Sequence, residues 1–417
     1  MSTIFIQIAS YRDPELIPTI KDCLNNAKYP ENLVFGICRQ YHPEDSFDDL
    51  SEYENDKRFR IFNVLYNETL GACWARHSLQ QLYSGETYTL QIDSHMRFEK
   101  DWDELVINMF ENLKSKGIKK PLLTGYVSSY DPENDPNGRV NVPWEMVFDR
   151  FIPEGTIFTL PQSISNYQNI NEPIPTRFYS AHFAFTTGDF VKEVPHDPNL
   201  YFHSEEMSIA VRSYTNGYDL FHPHRIICWH EYTRKNRVKT WDDDKEWFIK
   251  NDKSHARNRN LFSMDGETYD ETEFGIYGFG TERTLRDYEK YAGILFQKRS
   301  IQQYTLDKKY PPNPYNYNTE EEWLESFTSV FKHCIDVPFN SVPEQDYDFW
   351  VVAFHNEKDE TLHRQDAQKD EIRRMMTDPD KYCKIWREFN SIEKPKYWVV
   401  WPHSESKGWC DRLVGNL

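Results

Sequence analysis

The chain has 417 residues and a mass of 50.0 kDa, more than one average domain and enough to bury a sizeable core. Its 49 Lys and Arg against 67 Asp and Glu give a net charge of −18, which disfavours general binding to nucleic acids and anionic membrane surfaces. Aromatic residues make up 16% of the chain, too many for a disordered protein. The composition predicts a soluble folded protein.

No pattern in the sequence is typical of secretion or membrane insertion. Residues 1–6 lead directly into a strand-like stretch, and the longest apolar runs, 350–354 and 397–401, fall far short of the ~20 residues that cross a bilayer. The seven cysteines include no Cys-x-x-Cys pair, which argues against a disulfide scaffold or a thiolate zinc site. We expect a cytoplasmic protein without a membrane span.

The first 126 residues alternate between strand-like and helical segments. Predicted strands cover residues 3–9, 33–38, 60–65, 88–92 and 122–126, and predicted helices cover 14–27 (with Asp13 as N-cap), 71–83 and the segment that Asp101 opens. This alternation favours a mostly parallel sheet covered by helices.

The rest of the chain divides at a linker. Residues 131–175 are rich in Pro, Asn and Gly and predict long loops, and a strand at 181–186 and a helix at 204–216 follow. Residues 311–318 hold three prolines and three asparagines, which precludes a helix or a central strand. We expect a catalytic domain over 1–310, with its core at about 1–265, and a small α+β accessory domain over 319–417.

The accessory domain carries no motif of its own. A capping box at 319–322 predicts a helix with Trp323, Phe327, Val330 and Phe331 on its apolar face, and strands at 348–354 and 397–401 flank a charged helix at 366–376. The tryptophans of this domain could stack on sugar rings or form an ordinary core, and core is the favoured interpretation: Trp350, Trp398, Trp401 and Trp409.

An Asp-x-His motif, Asp93 and His95, directly follows the predicted strand at 88–92. Open α/β sheets place ligand crevices at the carboxyl ends of their strands, and a carboxylate with an imidazole suits a divalent ion such as Mn²⁺. On this short pattern alone, an Asp that caps the next helix beside a surface His is the more common arrangement. The wider sequence context favours the metal site.

Six segments together carry a resemblance to a known family. They are IASYRDPEL (8–16), GACWARH (71–77), LQIDSHMRF (90–98), LLTGY (122–126), FHSEEMSIAVRSYTNGYDLFHP (202–223) and WHEYTR (229–234). In this order they resemble glycosyltransferase family 60, which contains the Skp1 hydroxyproline N-acetylglucosaminyltransferases. The resemblance covers residues 1 to about 300 and implies a GT-A (Rossmann-like, nucleotide-diphospho-sugar transferase) fold, retaining transfer from UDP-GlcNAc and dependence on a divalent cation.

The resemblance also implies a metal-ligand set and a donor site. His230 looks like a third metal ligand beside Asp93 and His95, with Mn²⁺ as the expected ion and Mg²⁺ as the alternative; a core or capping histidine is the other interpretation of His230. The donor-binding set comprises Ser10, Tyr11, Arg12, Arg76, Gln91, Asp93 and Arg234. For the arginines a solvated or capping role stays open. The basic tract 234–239 and the pair Arg257 and Arg259 suit a loop that closes over a diphosphate, but they could equally form a solvated loop.

Glu205 is predicted to orient the sugar or the acceptor, and with Arg76 it forms the candidate catalytic pair. Its place in a helix first turn is also explained by the helix dipole alone. In retaining GT-A chemistry the leaving phosphate assists the acceptor hydroxyl, so no dedicated protein base is expected.

We therefore predict a metal-dependent retaining transferase that moves N-acetylglucosamine from UDP-GlcNAc to a hydroxyl of a polypeptide or a glycan. A metal-dependent phosphodiesterase or nucleotidyltransferase and a non-catalytic carbohydrate-binding protein are the alternatives. Phosphate loops, dinucleotide fingerprints and nucleophile elbows do not occur in the sequence. The pair His222 and His224 is interpreted as a loop feature.

Overall fold

The computed structural model describes residues 2–235, 237–378 and 380–417. The chain forms two compact units, the first made of residues up to 297 together with 304–315, and the second made of 298–303 and 316–417. Within the described ranges, no helix is long and apolar enough to cross a membrane.

The first unit begins with alternating strands and helices, as the periodicity predicts. Its elements are β1 (Ile4–Tyr11), α1 (Leu16–Asn26), β2 (Leu33–Tyr41), β3 (Phe59–Leu65), α2 (Ala72–Gln80), β4 (Tyr88–Asp93), β5 (Met96–Phe98), α3 (Trp102–Ser115), β6 (Pro121–Thr124) and β7 (Ser128–Ser129). They continue with β8 (Trp144–Phe151), β9 (Ile157–Ser163), β10 (Ile174–Pro175), β11 (Phe183–Thr187), α4 (Phe190–Glu193), α5 (Glu205–Thr215), β12 (Asp219–His222), β13 (Cys228–His230), α6 (Thr240–Asp243), α7 (Trp247–Leu261), α8 (Glu271–Phe274), α9 (Leu285–Ala292) and β14 (Ile294–Leu295).

An eight-stranded sheet in the order β10-β12-β6-β11-β4-β1-β2-β3 is the centre of this unit. The neighbours β4-β1-β2-β3 are all parallel, and β6 is parallel to β12. By contrast, β11 runs antiparallel to both β4 and β6, and β10 is antiparallel to β12. The sheet is mixed, and its parallel half carries the strand ends that form the site.

Helices cover both faces of the sheet. Because side chains alternate along a strand, Ile4, Ile6 and Ile8 all point to one face, where they join the apolar cluster of α1 and α3. Ala9 points to the opposite face and packs with α2. Each fully buried Ile stabilises the fold by roughly 1.5–3 kcal/mol relative to an exposed one, so this layering fixes the strand register.

Two predictions for the first unit are wrong. Residues 131–175, predicted as long loops, contain the antiparallel hairpin of β8 and β9, with Trp144 paired to Ser163. The pair Arg257 and Arg259, interpreted as part of a charged loop, lies in helix α7, where Arg257 binds Asp197 at 2.6 Å. Proline and glycine around the hairpin, and the scarcity of apolar residues in α7, hid these elements from the hydrophobic pattern.

The second unit is mainly β-structure around its own apolar core. Its elements are β15 (Ser300–Gln302), α11 (Glu320–Glu325), β16 (Phe327–Pro338), β17 (Tyr347–His355), β18 (Thr361–Arg364), β19 (Ala367–Gln368), α12 (Lys369–Met375), β20 (Tyr382–Ser391), β21 (Tyr397–Ser404), β22 (Gly408–Trp409) and β23 (Leu413–Asn416); α10 (Gln303–Leu306) lies where the chain returns to the first unit. The core contains Trp350, Val352 and Ile385, whereas Trp401 and Trp409 are exposed.

One helix of the second unit is shorter than predicted. Thr319 does cap α11, since its hydroxyl accepts from the backbone of Glu322 at 3.1 Å. The helix ends at Glu325, however, and Phe327 begins the long strand β16, which pairs with β20. The apolar spacing that predicted a continued helix is compatible with a strand, and pairing with β20 decides between them.

Candidate active site

The site lies where two parallel strands end side by side. In the register of β1 and β4, Ala9 is opposite Asp93, so the chain leaves the sheet at the same edge after both strands. Arg12 turns the chain with a positive φ of 45°, and Asp13 follows it. The carboxylate of Asp13 accepts a hydrogen bond from the Ser94 hydroxyl at 2.7 Å, which ties the two turns together.

A short ladder brings His230 to the same edge. Strand β13 pairs antiparallel with β5, which places His230 opposite Met96 and next to His95. The two imidazole rings have centroids 4.7 Å apart. The three residue pairs between β13 and β5 thus bring His230 next to His95, although the two residues are far apart in the sequence. No local sequence pattern predicts this contact.

Asp93, His95 and His230 converge. The Asp93 Oδ2 atom lies 3.2 Å from His230 Nε2 and 3.6 Å from His95 Nε2, and one ligand atom from each residue lies within 4.8 Å of the others. Ligand atoms at neighbouring positions of an octahedral ion, about 2.1 Å from it, are about 3.0 Å apart. The observed separations fit a divalent cation.

The charges of the three side chains also suit a cation. Burial would raise the pKa of Asp93, but the hydrogen bond from His230 and the charge of Arg76 hold this pKa well below its usual range. Burial lowers the pKa of His230 to about 4. An ionised carboxylate and a neutral imidazole are the protonation states in which these groups bind metal.

Arg76 joins Asp93 to Glu205. From α2, its guanidinium donates to Asp93 Oδ1 at 2.8 Å and also to Glu205, which opens α5. Arg76 is 6% exposed and Glu205 4% exposed, and the thiol of Cys73 donates to the same Glu205 carboxylate. Burial raises the pKa of Glu205, and the guanidinium partly offsets that shift. Arg76 therefore orients two carboxylates beside the candidate metal site.

A cavity of about 160 Å³ opens over these groups. Its floor includes Arg76, Asp93, His95 and His230, and its walls include Tyr11, Gln40, Tyr201, Phe202, Arg234 and the stretch 237–241. We call residues 237–243 the cover segment. Asp243, at its end, accepts from Tyr11 Oη at 2.7 Å and from Arg12 at 2.9 Å.

The chain matches a described protein family over most of its first unit. Residues 3–58 and 47–298 match the family described as "Glycosyltransferase (GlcNAc)". The chain belongs to this family of glycosyltransferases. The predicted enzyme class is confirmed at this level, and no match is found among curated protein sequences.

Solved structures show the fold of this glycosyltransferase. GalNAc-T7 with UDP, GalNAc and Mn²⁺ has 11% identity and a TM-score of 0.51, and the alignment covers 99% of this chain and 68% of that one. TarS of S. aureus with UDP-GlcNAc (11% identity, 58% and 61% coverage, TM-score 0.38) and the mannosyltransferase PcManGT of Pyrobaculum calidifontis with GDP-Man and Mn²⁺ (10%, 56% and 58%, 0.36) are more distant. The likeness to GalNAc-T7 confirms the predicted GT-A fold and does not extend to its substrates.

The other residues predicted to bind the nucleotide-sugar donor lie at different depths relative to the cavity. Tyr11 and Arg234 line the cavity, and Arg234 lies over the rings of Phe202 and Trp241 at 5.8 and 5.4 Å. Ser10 is fully buried. The Gln91 amide is engaged beneath the cavity, where it donates to the Ala181 carbonyl and contacts His196 at 2.6 Å.

Several cavity residues of the glycosyltransferase were not among those predicted from the sequence. Asp13 was interpreted only as a helix cap, although its carboxylate lies 2.8 Å from His95 Nδ1. The sequence does not point to Trp241 or Asp243, because nothing in the local pattern indicates that α6 lies against the end of β1.

His222 has a structural role. It ends β12, its Nδ1 lies 2.9 Å from the Thr124 carbonyl, and its Nε2 lies 3.1 Å from the Met146 backbone nitrogen. Burial lowers its pKa to about 4. A neutral ring with both nitrogens engaged by backbone is not available as a metal ligand.

Proposed function

We propose that this glycosyltransferase moves N-acetylglucosamine from UDP-GlcNAc to a hydroxyl group, with retention of configuration and with a divalent cation, Mn²⁺ or Mg²⁺, held by Asp93, His95 and His230. The convergence of these three side chains on the floor of the cavity is the observation that carries the proposal. A bound divalent ion would neutralise the charge of the departing diphosphate.

The side chains around the cavity have distinct proposed tasks. Tyr11 and Arg234 bind the nucleotide and its phosphates, since both line the cavity and an aromatic ring and a guanidinium suit these groups. Ser10 and Gln91 support the cavity floor from below. Arg76 holds Asp93 and Glu205 in place, and Glu205 orients the sugar or the acceptor.

In the proposed transfer the bond between the anomeric carbon and the diphosphate oxygen breaks while the acceptor oxygen bonds to that carbon from the same face. The acceptor proton passes to the departing phosphate oxygen, so no protein base is required. By the resemblance to the Skp1 enzymes, the proposed acceptor is a polypeptide hydroxyl on Ser, Thr or hydroxyproline, with a glycan hydroxyl as the alternative.

A panel of UDP-sugars, incubated with the full chain in the presence of Mn²⁺ or EDTA, tests the proposal. We expect UDP release that is largest for UDP-GlcNAc and needs the metal. Asp93→Asn should lower the rate roughly 100-fold or more, because it weakens the charged metal ligand. The control Asp56→Asn removes a carboxylate whose ion-pair partner among the described residues is Arg58, and it should retain the rate.

The products separate the competing functions. UMP with GlcNAc 1-phosphate would indicate a phosphodiesterase, and binding without turnover would indicate a carbohydrate-binding protein; either result contradicts the proposal. With a hydroxyl acceptor, the anomeric proton coupling of the product, measured by NMR, reports whether the configuration is retained.

A further inference from the structure

The carboxylate of Asp13 is a buried junction beside the candidate metal site. Asp13 is 2% exposed. Its Oδ1 accepts from the Glu15 backbone nitrogen at 2.9 Å, where α1 is about to begin. Its Oδ2 lies 2.7 Å from Ser94 Oγ, 2.8 Å from His95 Nδ1 and 3.2 Å from the Arg237 guanidinium. Oδ1 therefore binds the backbone at the start of α1, and Oδ2 contacts side chains next to the candidate metal site.

These contacts constrain the proton on His95. An ionised carboxylate oxygen only accepts hydrogen bonds, so in the 2.8 Å contact with Asp13 Oδ2 the ring nitrogen is the donor, which corresponds to a proton on Nδ1. Arg237 Nη1 contacts the same ring nitrogen and, as a guanidinium, can only donate, so on its own it would favour the opposite tautomer. With the proton on Nδ1, the guanidinium instead donates to Asp13 Oδ2, which it reaches at 3.2 Å. The lone pair of His95 is then on Nε2, the atom that faces Asp93 Oδ2 at 3.6 Å.

We propose that Asp13 is a positioning residue that holds His95 in the Nδ1–H tautomer and so presents Nε2 to the divalent cation. This role rests on the proposed function. A carboxylate behind a metal-binding imidazole fixes the orientation of the ring and makes it a better ligand. It also explains why Asp13 is buried with Oδ2 directed away from the α1 backbone.

Asp13→Asn separates this role from helix capping. The Asn side-chain oxygen can still accept from the Glu15 backbone nitrogen, whereas the NH₂ group takes the place of Oδ2 and is a donor. Facing a donor, His95 Nδ1 has to accept, and its proton moves to Nε2, where it blocks the metal. We expect the Kd for Mn²⁺ alone, measured on the full chain by electron paramagnetic resonance, to rise 10- to 100-fold.

Ser94→Ala is the matched control. It removes the 2.7 Å hydrogen bond to the same Asp13 oxygen and leaves the contact with His95 in place. Its Kd for Mn²⁺ should stay within about 3-fold of the wild-type value, which corresponds to less than one neutral hydrogen bond. Thermal melting curves of both variants report whether the fold is retained.

The tautomer is measurable without metal. Nitrogen-15 NMR of the metal-free, histidine-labelled chain, with the His95 signals assigned from their loss in His95→Gln, should give the Nδ1–H pattern in the wild type and Nε2–H in Asp13→Asn. A structural defect alone would not exchange the two nitrogens. A wild-type His95 with its proton on Nε2 overturns the proposal even if Asp13→Asn fails to fold.

The two measurements separate this role from the proposed function. If the wild type binds Mn²⁺ and Asp13→Asn binds it equally well, the role of Asp13 is wrong and the proposed metal site stands. If the wild type binds neither Mn²⁺ nor Mg²⁺, the metal site is wrong and the role of Asp13 fails with it.

Discussion

The arginines near the cavity differ in whether they form ion pairs with carboxylates. Arg12 pairs with Asp45 and Asp243, and Arg76 pairs with Asp93 and Glu205. Arg234, by contrast, has no carboxylate within ion-pair distance among the described residues, and it lies over two aromatic rings at the cavity wall. In a chain with a net charge of −18, Arg234 is therefore the protein cation best placed to attract a diphosphate.

Replacing Arg76 with methionine should destabilise the first unit. Glu205 is 4% exposed, and without the guanidinium its carboxylate would remain buried and close to Asp93, with the Cys73 thiol as a hydrogen-bond donor and His196 4.0 Å away. Removing one partner of a buried ion pair costs about 3–5 kcal/mol of the free energy of unfolding. Urea denaturation of the full chain, followed by circular dichroism, measures this loss.

The double variant Arg76→Met with Glu205→Gln is the control for that interpretation. It removes both charges, and a neutral amide still accepts from Cys73, so most of the lost stability should return. A double-mutant cycle completed with Glu205→Gln gives the coupling between the two residues. A coupling near zero would contradict the role of Arg76 as the partner of Glu205.

The cover segment lines the cavity, and Asp243 at its end is tied to the end of β1. Sites for organic ligands generally measure about 300–1,000 Å³, whereas this cavity measures about 160 Å³. The nucleotide-sugar of the proposed function is larger than this cavity, so we expect the cover segment to move when such a donor binds. The hydrogen bonds that Asp243 accepts from Tyr11 and Arg12 are the contacts that such a movement would break.

Asp243→Asn should favour the open cavity. The variant weakens the ion pair with Arg12 and leaves that guanidinium freer to meet a phosphate. If the two contacts are together worth about 1.4 kcal/mol, UDP should bind roughly 10-fold more tightly, because less of its binding energy is used to open the wall. Isothermal titration calorimetry with UDP and Mn²⁺ measures this change.

Trypsin gives an independent test of the same opening. The stretch 234–239 contains Arg234, Lys235, Arg237 and Lys239, and cleavage there should be faster in Asp243→Asn than in the wild type. Glu246→Gln removes the same charge a short distance further along, where the residue is exposed, and should change neither cleavage nor UDP affinity. Equal behaviour of the two variants would contradict the role of Asp243.

Among the helices and strands, those with a regular spacing of apolar residues are the ones that the sequence predicts. Helices α1 and α3 and strands β1 to β4 follow from apolar spacing, since each has one face or both faces in the core. Strand β16 was predicted as part of a helix, and only its pairing with β20, which is distant in sequence, determines its conformation. The hairpin of β8 and β9 is local, but the prolines and glycines around it obscure its strand pattern.

For the candidate site, the sequence identifies residue types but not their partners. Asp93 and His95 are placed at a strand end by the pattern alone, and His230 comes from the family resemblance. That Arg76 binds Glu205, that Asp13 contacts His95 and that Asp243 reaches Tyr11 depends on contacts across 129, 82 and 232 positions of the chain. Such pairings are tertiary and leave no local signal.

For the whole molecule, the division into two units predicts that damage to the second core leaves the metal site intact, because the three candidate ligands lie in the first unit. Ile385 is fully buried in the second core, and Ile385→Ala should lower the free energy of unfolding of that unit by about 2–5 kcal/mol. Differential scanning calorimetry measures this loss, and the Kd for Mn²⁺ should not change.

The adjacent Lys384, whose side chain is 42% exposed, provides the control Lys384→Ala. The free energy of unfolding of this variant should lie within about 0.5 kcal/mol of the wild-type value. Weaker Mn²⁺ binding in Ile385→Ala at a temperature where both units are folded would contradict this independence.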